Sequence, residues 1–385
     1  MECIGLVVHW SNICININKD MVNEFGYSSG LACISLAIFL LVIVKYKQVY
    51  MSHSIVRNVN NYRFVIFYLT LYSVFAFAEA DTYHYIGLYE DLYKSQFSWH
   101  VEPAHFWIIK HLPHGYYLWR LFVWGVSAIL YIKAFKHLQI RADVTGFVIA
   151  IVMLIPFAQT RGTLGFAMMM LALVYYVPFK IGNAIRFSVV VSIIVVSTFF
   201  HKSLGIYALL FPLAVLFPYN KKMIISSLIL FPVLYFAVYT LSSDILEMGF
   251  LGEQTIDRGT SYLERGSEGA YNFFGILTNS ILWMALFLYF YETTQYYIKN
   301  TCNKAIIYIQ KYAYILVYVS FLFYGQNISS FLYTRTLNFA MFPLAISYAY
   351  YLQNSKYGKK RNLIIFLFFL NTLYEITYHI YKFNQ

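Results

Sequence analysis

Long apolar runs separated by short polar segments make up most of this chain of 385 residues. A helix needs about 20 residues to cross the roughly 30 Å hydrocarbon core of a bilayer, and about twelve runs meet or approach that length. Their apolar residues are continuous, without the alternation of a membrane β-strand. The pattern therefore predicts an all-α polytopic integral membrane protein with about twelve transmembrane helices, in a single transmembrane domain spanning residues 1–385. The runs are Leu31–Val44, Phe64–Ala78, Tyr116–Ile132, Val144–Ala158, Leu164–Val177, Ile185–Phe200, Leu204–Phe217, Ile224–Leu241, Phe273–Tyr291, Ala305–Tyr324, Thr336–Leu352 and Leu363–Tyr381.

Two polar segments are much longer than the others, residues 79–115 and 242–272. Both are predicted to be long external loops, and long loops on a packed scaffold usually carry function. The segment Met1–Glu24 mixes Ile and Val with Asn, which fits either an interfacial strand or a short surface helix. Cys3 and Cys14 within it can pair if the segment is exported.

The composition excludes two broad classes of protein. Hydrophobic residues make up 60% of the chain and charged residues only 12%, whereas about a quarter of the residues of a soluble protein are charged. Disordered chains are poor in the aromatic and aliphatic residues that dominate here. A membrane protein is the class that remains.

The net charge of +11 is divided unequally between the two sets of alternate loops. One set carries 18 of the 28 Lys and Arg but only 2 of the 17 acids, a net charge of +16, and the other carries −5. Because cytoplasmic loops are enriched in Lys and Arg, the first set is predicted to be cytoplasmic and both termini external. Topology thus explains the basic charge, and no nucleic-acid partner is expected. The cytoplasmic loops are short and lack a Gly-rich phosphate loop, which disfavours a cytosolic nucleotide site.

A few bases remain on the acidic external side, where positive charge is otherwise depleted. Arg161 opens the fifth predicted helix, and Arg335 begins the eleventh. Arginine matches phosphate with a planar fork of donors, and ionisable groups near membrane depth are functional candidates. These residues predict a site for a phosphate or pyrophosphate at the membrane surface, as in a polyprenyl-linked sugar. The candidate pyrophosphate ligands are Arg161, Arg335, Lys202, Arg258 and Arg265.

Acids, a histidine and aromatic residues on the same side complete the candidate site. Asp81, Glu102 and His201 are candidate catalytic residues, since each can accept or orient a hydroxyl proton. Aromatic rings stack on sugar faces, so Trp99, Trp107 and Tyr83 are candidate sugar-binding residues.

Simpler interpretations stay open for several of these residues. Arg120, at the start of the third predicted helix, is best explained by snorkelling to the headgroups. For Lys202 the simpler interpretation is an anchor for lipid headgroups, and for His201 it is a side chain hydrogen-bonded within its own turn. The histidines of the first long loop fit no tight ligand spacing, so neither a metal nor another cofactor is expected. They are His84, His100, His105, His111 and His114.

Four short motifs, in this order along the chain, resemble the EpsG-like group of bacterial polysaccharide polymerases, which is related to the Wzy-type O-antigen polymerases. They are Asp81-Thr82-Tyr83, Glu102-Pro103, Arg161-Gly162 and Phe200-His201-Lys202-Ser203. The resemblance implies a multi-pass inner-membrane glycosyltransferase with its active site facing the periplasm or outside. Such an enzyme transfers a growing glycan from undecaprenyl pyrophosphate to the next lipid-linked oligosaccharide repeat unit. Expected partners are that lipid-linked oligosaccharide, membrane lipid and a chain-length regulator protein.

Two alternatives remain open at the level of the sequence. Glu79-Ala80-Asp81 also matches the acidic pattern in membrane glycosyltransferases that use a polyprenyl-phosphate sugar, often with a metal. A lipid-linked oligosaccharide flippase or another transporter is the third class. Transporters usually carry charges at mid-helix and broken helices, whereas here the charges gather at one external level, which favours surface chemistry.

Overall fold

The structure is a computed structural model. Met1–Glu24, with Cys3 and Cys14, lies outside the residues that it describes, as do most of the first predicted loop and all of residues 248–272. The described ranges are 29–47, 62–75, 89–90, 93–94, 102–112, 115–153, 160–176, 184–201, 204–247, 273–300, 303–324, 330–355 and 358–382.

The described ranges are helical and contain no strand, which confirms the predicted all-α class. Each of the predicted apolar runs coincides with a helix. The helices are α1 Ser29–Lys45, α2 Arg63–Phe75, α3 Pro103–His111, α4 Tyr116–His137, α5 Ala142–Val148, α6 Thr160–Tyr176, α7 Ala184–Thr198, α8 Leu204–Leu216, α9 Lys221–Glu247, α10 Phe273–Asn300, α11 Lys304–Leu322, α12 Ser330–Asn354 and α13 Lys359–Lys382.

Three stretches of helix are long and apolar enough to cross a membrane: Leu118–His137, Lys221–Val238 and Lys304–Leu322. This is compatible with a helical membrane protein, and the number of about twelve spans stays a prediction. Several other predicted spans correspond to apolar helices that are shorter than a membrane crossing, which accounts for part of the difference between three and about twelve. One of them, α5, continues as a π-helix over Ile149–Met153.

Helix α3 lies within residues 79–115, the first predicted long loop. Pro103 occupies the first turn of α3, and Lys110 and His111 lie in its last turn. Proline suits the first turn because the N–H that it lacks would have no partner there, and basic residues favour the negative end of the helix dipole. The helix is only nine residues long, which is too short to appear in the sequence as a membrane-spanning run.

The chain divides into two compact units, Met1–Ile206 with Thr372–Gln385, and Tyr207–Asn371. In the first unit α4 packs between α2 and α6, and α6 also packs against α7. In the described part of the second unit α11 and α12 pack against each other most extensively. Helix α9 is largely exposed, with Val233 and Phe236 each about two-thirds accessible.

Contacts within each unit join helix ends that the charge pattern assigns to the same side. Lys360 donates to Glu292 at 2.7 Å, and this hydrogen bond is the main reason why the pKa of Lys360 is raised. The ammonium of Lys136 lies 4.9 Å from the ring centroid of Tyr62. Both pairs combine residues of the predicted cytoplasmic loops, as an alternating arrangement of helices requires.

A polar network is buried in the second unit, centred on Gln310. The Gln310 Nε2 group donates to the Tyr219 hydroxyl and to Thr293 Oγ1, each at 2.8 Å. The Tyr289 hydroxyl donates to Gln310 Oε1 at 2.7 Å and lies 3.0 Å from Ser347 Oγ. One side chain thus satisfies polar groups from α10 and from the segment between α8 and α9, which links these elements to α11.

We expect Gln310→Met to destabilise the second unit by about 2–4 kcal/mol, because it leaves several buried hydroxyls without their amide partner. The loss is measured as a lower thermal unfolding midpoint of the purified protein in detergent. Asn354→Leu is the matched control, since Asn354 is exposed and donates only to Tyr350 O of its own helix. An equal effect of the two substitutions contradicts the assigned role of Gln310.

Candidate functional site

Glu102, a predicted catalytic residue, directly precedes α3. It occupies the N-cap position, but its side chain does not cap the helix. The residue is only 7% exposed. A buried carboxylate must be surrounded by polar or charged groups of the protein, so the packing around α3 sets the environment of this acid.

Helix α3 is tied to the end of α7. The N–H of Ala104 donates to the carbonyl of Phe199 at 3.2 Å. His105, which is 1% exposed, makes edge-to-face ring contacts with Phe200 at 5.7 Å and with Trp119 at 5.5 Å. Together these contacts fix α3 between α4 and the turn that follows α7.

His201, the second predicted catalytic residue within the described ranges, lies in that turn. Its N–H donates to Ser197 O at 3.4 Å, and its carbonyl accepts from the N–H of Leu204 at 3.0 Å, where α8 begins. The Ala104–Phe199 hydrogen bond lies two residues from Glu102 and two from His201. Two candidate bases that are far apart in sequence are therefore carried by adjoining elements.

Gly165 brings the first turns of α6 against the turn between α7 and α8 that contains His201, which we call the α7–α8 turn. A Cβ atom at Gly165 would lie 2.8 Å from Ser197 O and 3.2 Å from Phe200 Cβ, and it would clash with Leu204 Cδ1. Only glycine permits this approach. Arg161 lies one helical turn before Gly165, so the backbone that carries Arg161 lies beside the His201 turn.

Arg120 does not snorkel, contrary to the sequence-based interpretation. The residue is 0% exposed. One guanidinium nitrogen donates to the Tyr116 hydroxyl at 3.3 Å, and the guanidinium carbon lies 5.7 Å from the centroid of the Tyr116 ring. Residues four apart share one helix face. The spacing of Tyr116 and Arg120 is therefore the one signal in the sequence from which their pairing could have been inferred. Sequence reasoning missed Arg120 and undervalued the buried His105.

The start of α4 is held by Tyr89 and Gly115. The N–H of Gly115 donates to the Tyr89 hydroxyl at 2.7 Å. Gly115 has a φ angle of 155°, which L side chains rarely adopt. Burial is the main reason why the pKa of Tyr89 is raised, although the Gly115 N–H lowers it. Tyr89 is therefore neutral at physiological pH, and its ring packs against Tyr116 and Trp119 in the apolar cluster beside α3.

Trp107, a predicted sugar-binding residue, lies on the outer face of α3. It is 61% exposed, and its ring stacks on His111 with centroids 4.3 Å apart and planes inclined at 25°. His111 Nδ1 lies 2.8 Å from Trp107 O. The stack presents a flat aromatic surface outside the buried part of the cluster.

Arg335 lies in the second unit, in the second turn of α12, and is partly buried. The adjacent Thr336 has its Oγ1 atom 3.3 Å from the Tyr207 hydroxyl.

Several predicted site residues lie outside the described part of the structure. For Arg161 this holds for the side chain, and for six other residues it holds for the whole residue. These six are Asp81, Tyr83, Trp99, Lys202, Arg258 and Arg265.

Among the residues that the structure describes, no group of three or more His, Cys, Asp and Glu side chains is arranged to hold a metal ion. The described part of the site therefore combines a buried acid, a buried histidine, a buried arginine and a partly buried histidine in a turn. These groups can accept a proton and stabilise negative charge.

The comparisons with known proteins give no match: no family model, no curated protein and no solved structure is similar to this chain. The resemblance to the EpsG-like polymerases therefore stays a prediction, based on the motifs of the sequence.

We expect Gly165→Ala to lower both the unfolding midpoint and any activity of the site, because the methyl group forces α6 away from the α7–α8 turn. Overpacking of this kind costs roughly 1–3 kcal/mol. Gly125→Ala is the control on α4, where a Cβ atom would lie 3.9 Å from Thr70 Cγ2, an ordinary contact. Thermal unfolding measures the effect, and full tolerance of Gly165→Ala would contradict the close approach.

Proposed function

We propose that this protein is a membrane-embedded glycosyltransferase that polymerises lipid-linked oligosaccharide repeat units, as its EpsG-like and Wzy-type motifs imply. Its donor is a growing glycan on undecaprenyl pyrophosphate, and its acceptor is the next lipid-linked repeat unit. The reaction takes place at the periplasmic or outer face of the plasma membrane.

The observation that carries this proposal is the convergence around the α7–α8 turn. Glu102 and His201 lie on elements joined by the Ala104–Phe199 hydrogen bond, and Gly165 packs the start of α6, with Arg161, against the same turn. An acid, a histidine and an arginine buried among apolar helices are candidates for chemistry, because ionisable groups at membrane depth are costly.

The proposed step is an attack by an acceptor hydroxyl on the anomeric carbon of the donor glycan. A new carbon–oxygen bond forms, and the bond from that carbon to the pyrophosphate breaks, with its electron pair leaving on the pyrophosphate. The hydroxyl proton passes to Glu102, His201 or Asp81. Arg161 stabilises the charge that builds on the leaving group, with help from Lys202. The sequence-based assignment of Arg335, Arg258 and Arg265 to the same role stays a prediction.

A transporter of lipid-linked oligosaccharides is the second candidate, and one observation favours it. Helix α5 continues as the π-helix Ile149–Met153, and Thr372 Oγ1 of α13 donates to Ile151 O at 2.7 Å. Glu375 lies one turn further along α13. Interrupted helices and intramembrane acids are typical of transporters.

We expect Glu102→Gln and His201→Ala to lower polymer formation by about 10²-fold or more if either residue is the general base. Arg161→Ala and Arg335→Ala are expected to lower polymer formation to a similar extent, because each removes a positive charge that would stabilise the leaving pyrophosphate. The measurement is the length distribution of surface glycan in a deletion strain that expresses each variant at an equal level. Glu90→Gln is the matched control, because Glu90 is a partly exposed acid of the same segment that pairs with Lys94 at 3.7 Å.

The deletion strain also separates the candidate functions. Loss of long polymer with retention of a single-unit product supports a polymerase, whereas loss of all surface glycan supports the transporter. Loss of activity on chelation favours the metal-dependent transferase that uses a polyprenyl-phosphate sugar. Normal polymer with Arg161→Ala or Arg335→Ala would refute the assigned pyrophosphate site.

A further inference from the structure

An apolar groove of about 800 Å³ opens on the surface of the first unit and reaches the candidate site at one end, where Ala104, Trp107 and Phe200 line it. Helix α4 forms one wall with Phe122, Val126 and Leu130, and α6 and α7 form the other, with Met168, Leu171 and Val196 among the lining residues. Every lining residue lies in the described ranges. A groove with such walls suits a hydrocarbon chain.

The two ends of the groove differ in polarity. At one end it is bounded by Ala104 and Ile108 of α3 and by Phe200, which are uncharged. At the other end lie Lys133 and Tyr175, and Lys133 is the one charged residue among those that line the groove. An amphipathic occupant with an anionic headgroup therefore has one favourable orientation, with its headgroup at Lys133.

The distance from Lys133 to Phe122 along α4 matches the length of an acyl chain in one leaflet of a bilayer. Phe122 and Lys133 are 11 positions apart on α4, which corresponds to about 16 Å at 1.5 Å per residue. Half of the hydrocarbon core is about 15 Å. By the charge pattern of the loops, the Lys133 end faces the cytoplasm, where membranes carry anionic lipid.

Neighbouring cations at this end are already engaged by the protein. The Lys136 ammonium lies over the Tyr62 ring, and Arg141 pairs with Asp143. The ring of His137 stacks on Tyr175 with centroids 3.9 Å apart. Lys133 is exposed and forms no ion pair with another residue of the described ranges, so its ammonium is available to an external anion.

We propose that this groove is a binding site for an anionic phospholipid of the cytoplasmic leaflet. The lipid phosphate binds the Lys133 ammonium, and one acyl chain lies between α4, α6 and α7. The polyprenyl chain of the substrate is the alternative occupant: it would enter from the α3 end with its pyrophosphate near Arg161 and would leave Lys133 without an anion. The bound lipid joins the three helices that carry Arg120, Arg161 and the His201 turn.

The test uses the purified full chain in detergent. Phosphatidylglycerol, phosphatidylcholine and undecaprenyl phosphate are added separately, and the unfolding midpoint and the bound lipid in native mass spectra are recorded. We expect a saturable rise of the midpoint with phosphatidylglycerol only, and an apparent affinity at least tenfold weaker for Lys133→Ala. Lys222→Ala is the control, since Lys222 is an exposed lysine on the same predicted side, in the second unit.

A second variant tests the groove itself. Met168→Trp fills part of the groove without a change of charge, so we expect it to weaken phosphatidylglycerol binding while Lys133 remains. Equal binding of phosphatidylcholine, unchanged affinity of Lys133→Ala, or displacement of phosphatidylglycerol by undecaprenyl phosphate would each overturn the assignment. If Met168→Trp does not fold, Lys133→Ala decides alone, because Lys133 is exposed. These readouts measure binding, so they do not depend on the proposed activity.

Discussion

Polar groups enclosed by apolar helices cannot bond to water, so the protein itself must supply their partners. This constraint explains the role of several of the chain's 38 tyrosines. A tyrosine presents an apolar ring to the core and a hydroxyl that can reach a distant helix. In the second unit the hydroxyls of Tyr219 and Tyr289 meet at Gln310. In the first unit Tyr68 donates to the carbonyl of Gly146 at 2.9 Å.

The same constraint shapes the candidate site. Glu102, His105 and Arg120 are all nearly inaccessible to water, so their environment is set by the packing of α3 and α4 and by the turn after α7. The contacts that hold these elements are short: one backbone hydrogen bond from Ala104 and the close approach at Gly165. Because the groups are fixed by backbone contacts, their geometry is largely built before any substrate arrives, as a catalytic site requires.

Helix α4 connects the two functional proposals. Near one end it carries Tyr116 and Arg120, which belong to the buried cluster, and near the other it presents Lys133 at the end of the lipid groove. Occupancy of the groove would stiffen the packing of α4 against α6 and α7. Anionic lipid would then support the site from the opposite end of the same helices, without contact with the substrate.

The sequence by itself determined the helical class and the positions of nearly all the helices, because a continuous apolar run has few other stable conformations in a bilayer. It also drew attention to Glu102 and His201 through their charge and position. It did not reveal α3, whose nine residues are too short to show as an apolar run. Nor did it reveal the inward orientation of Arg120, because charge alone does not distinguish a snorkelling arginine from a buried one. Only the tertiary structure decided that Glu102, His201 and the start of α6 adjoin, since that depends on a backbone hydrogen bond and on a glycine contact between residues far apart in the chain.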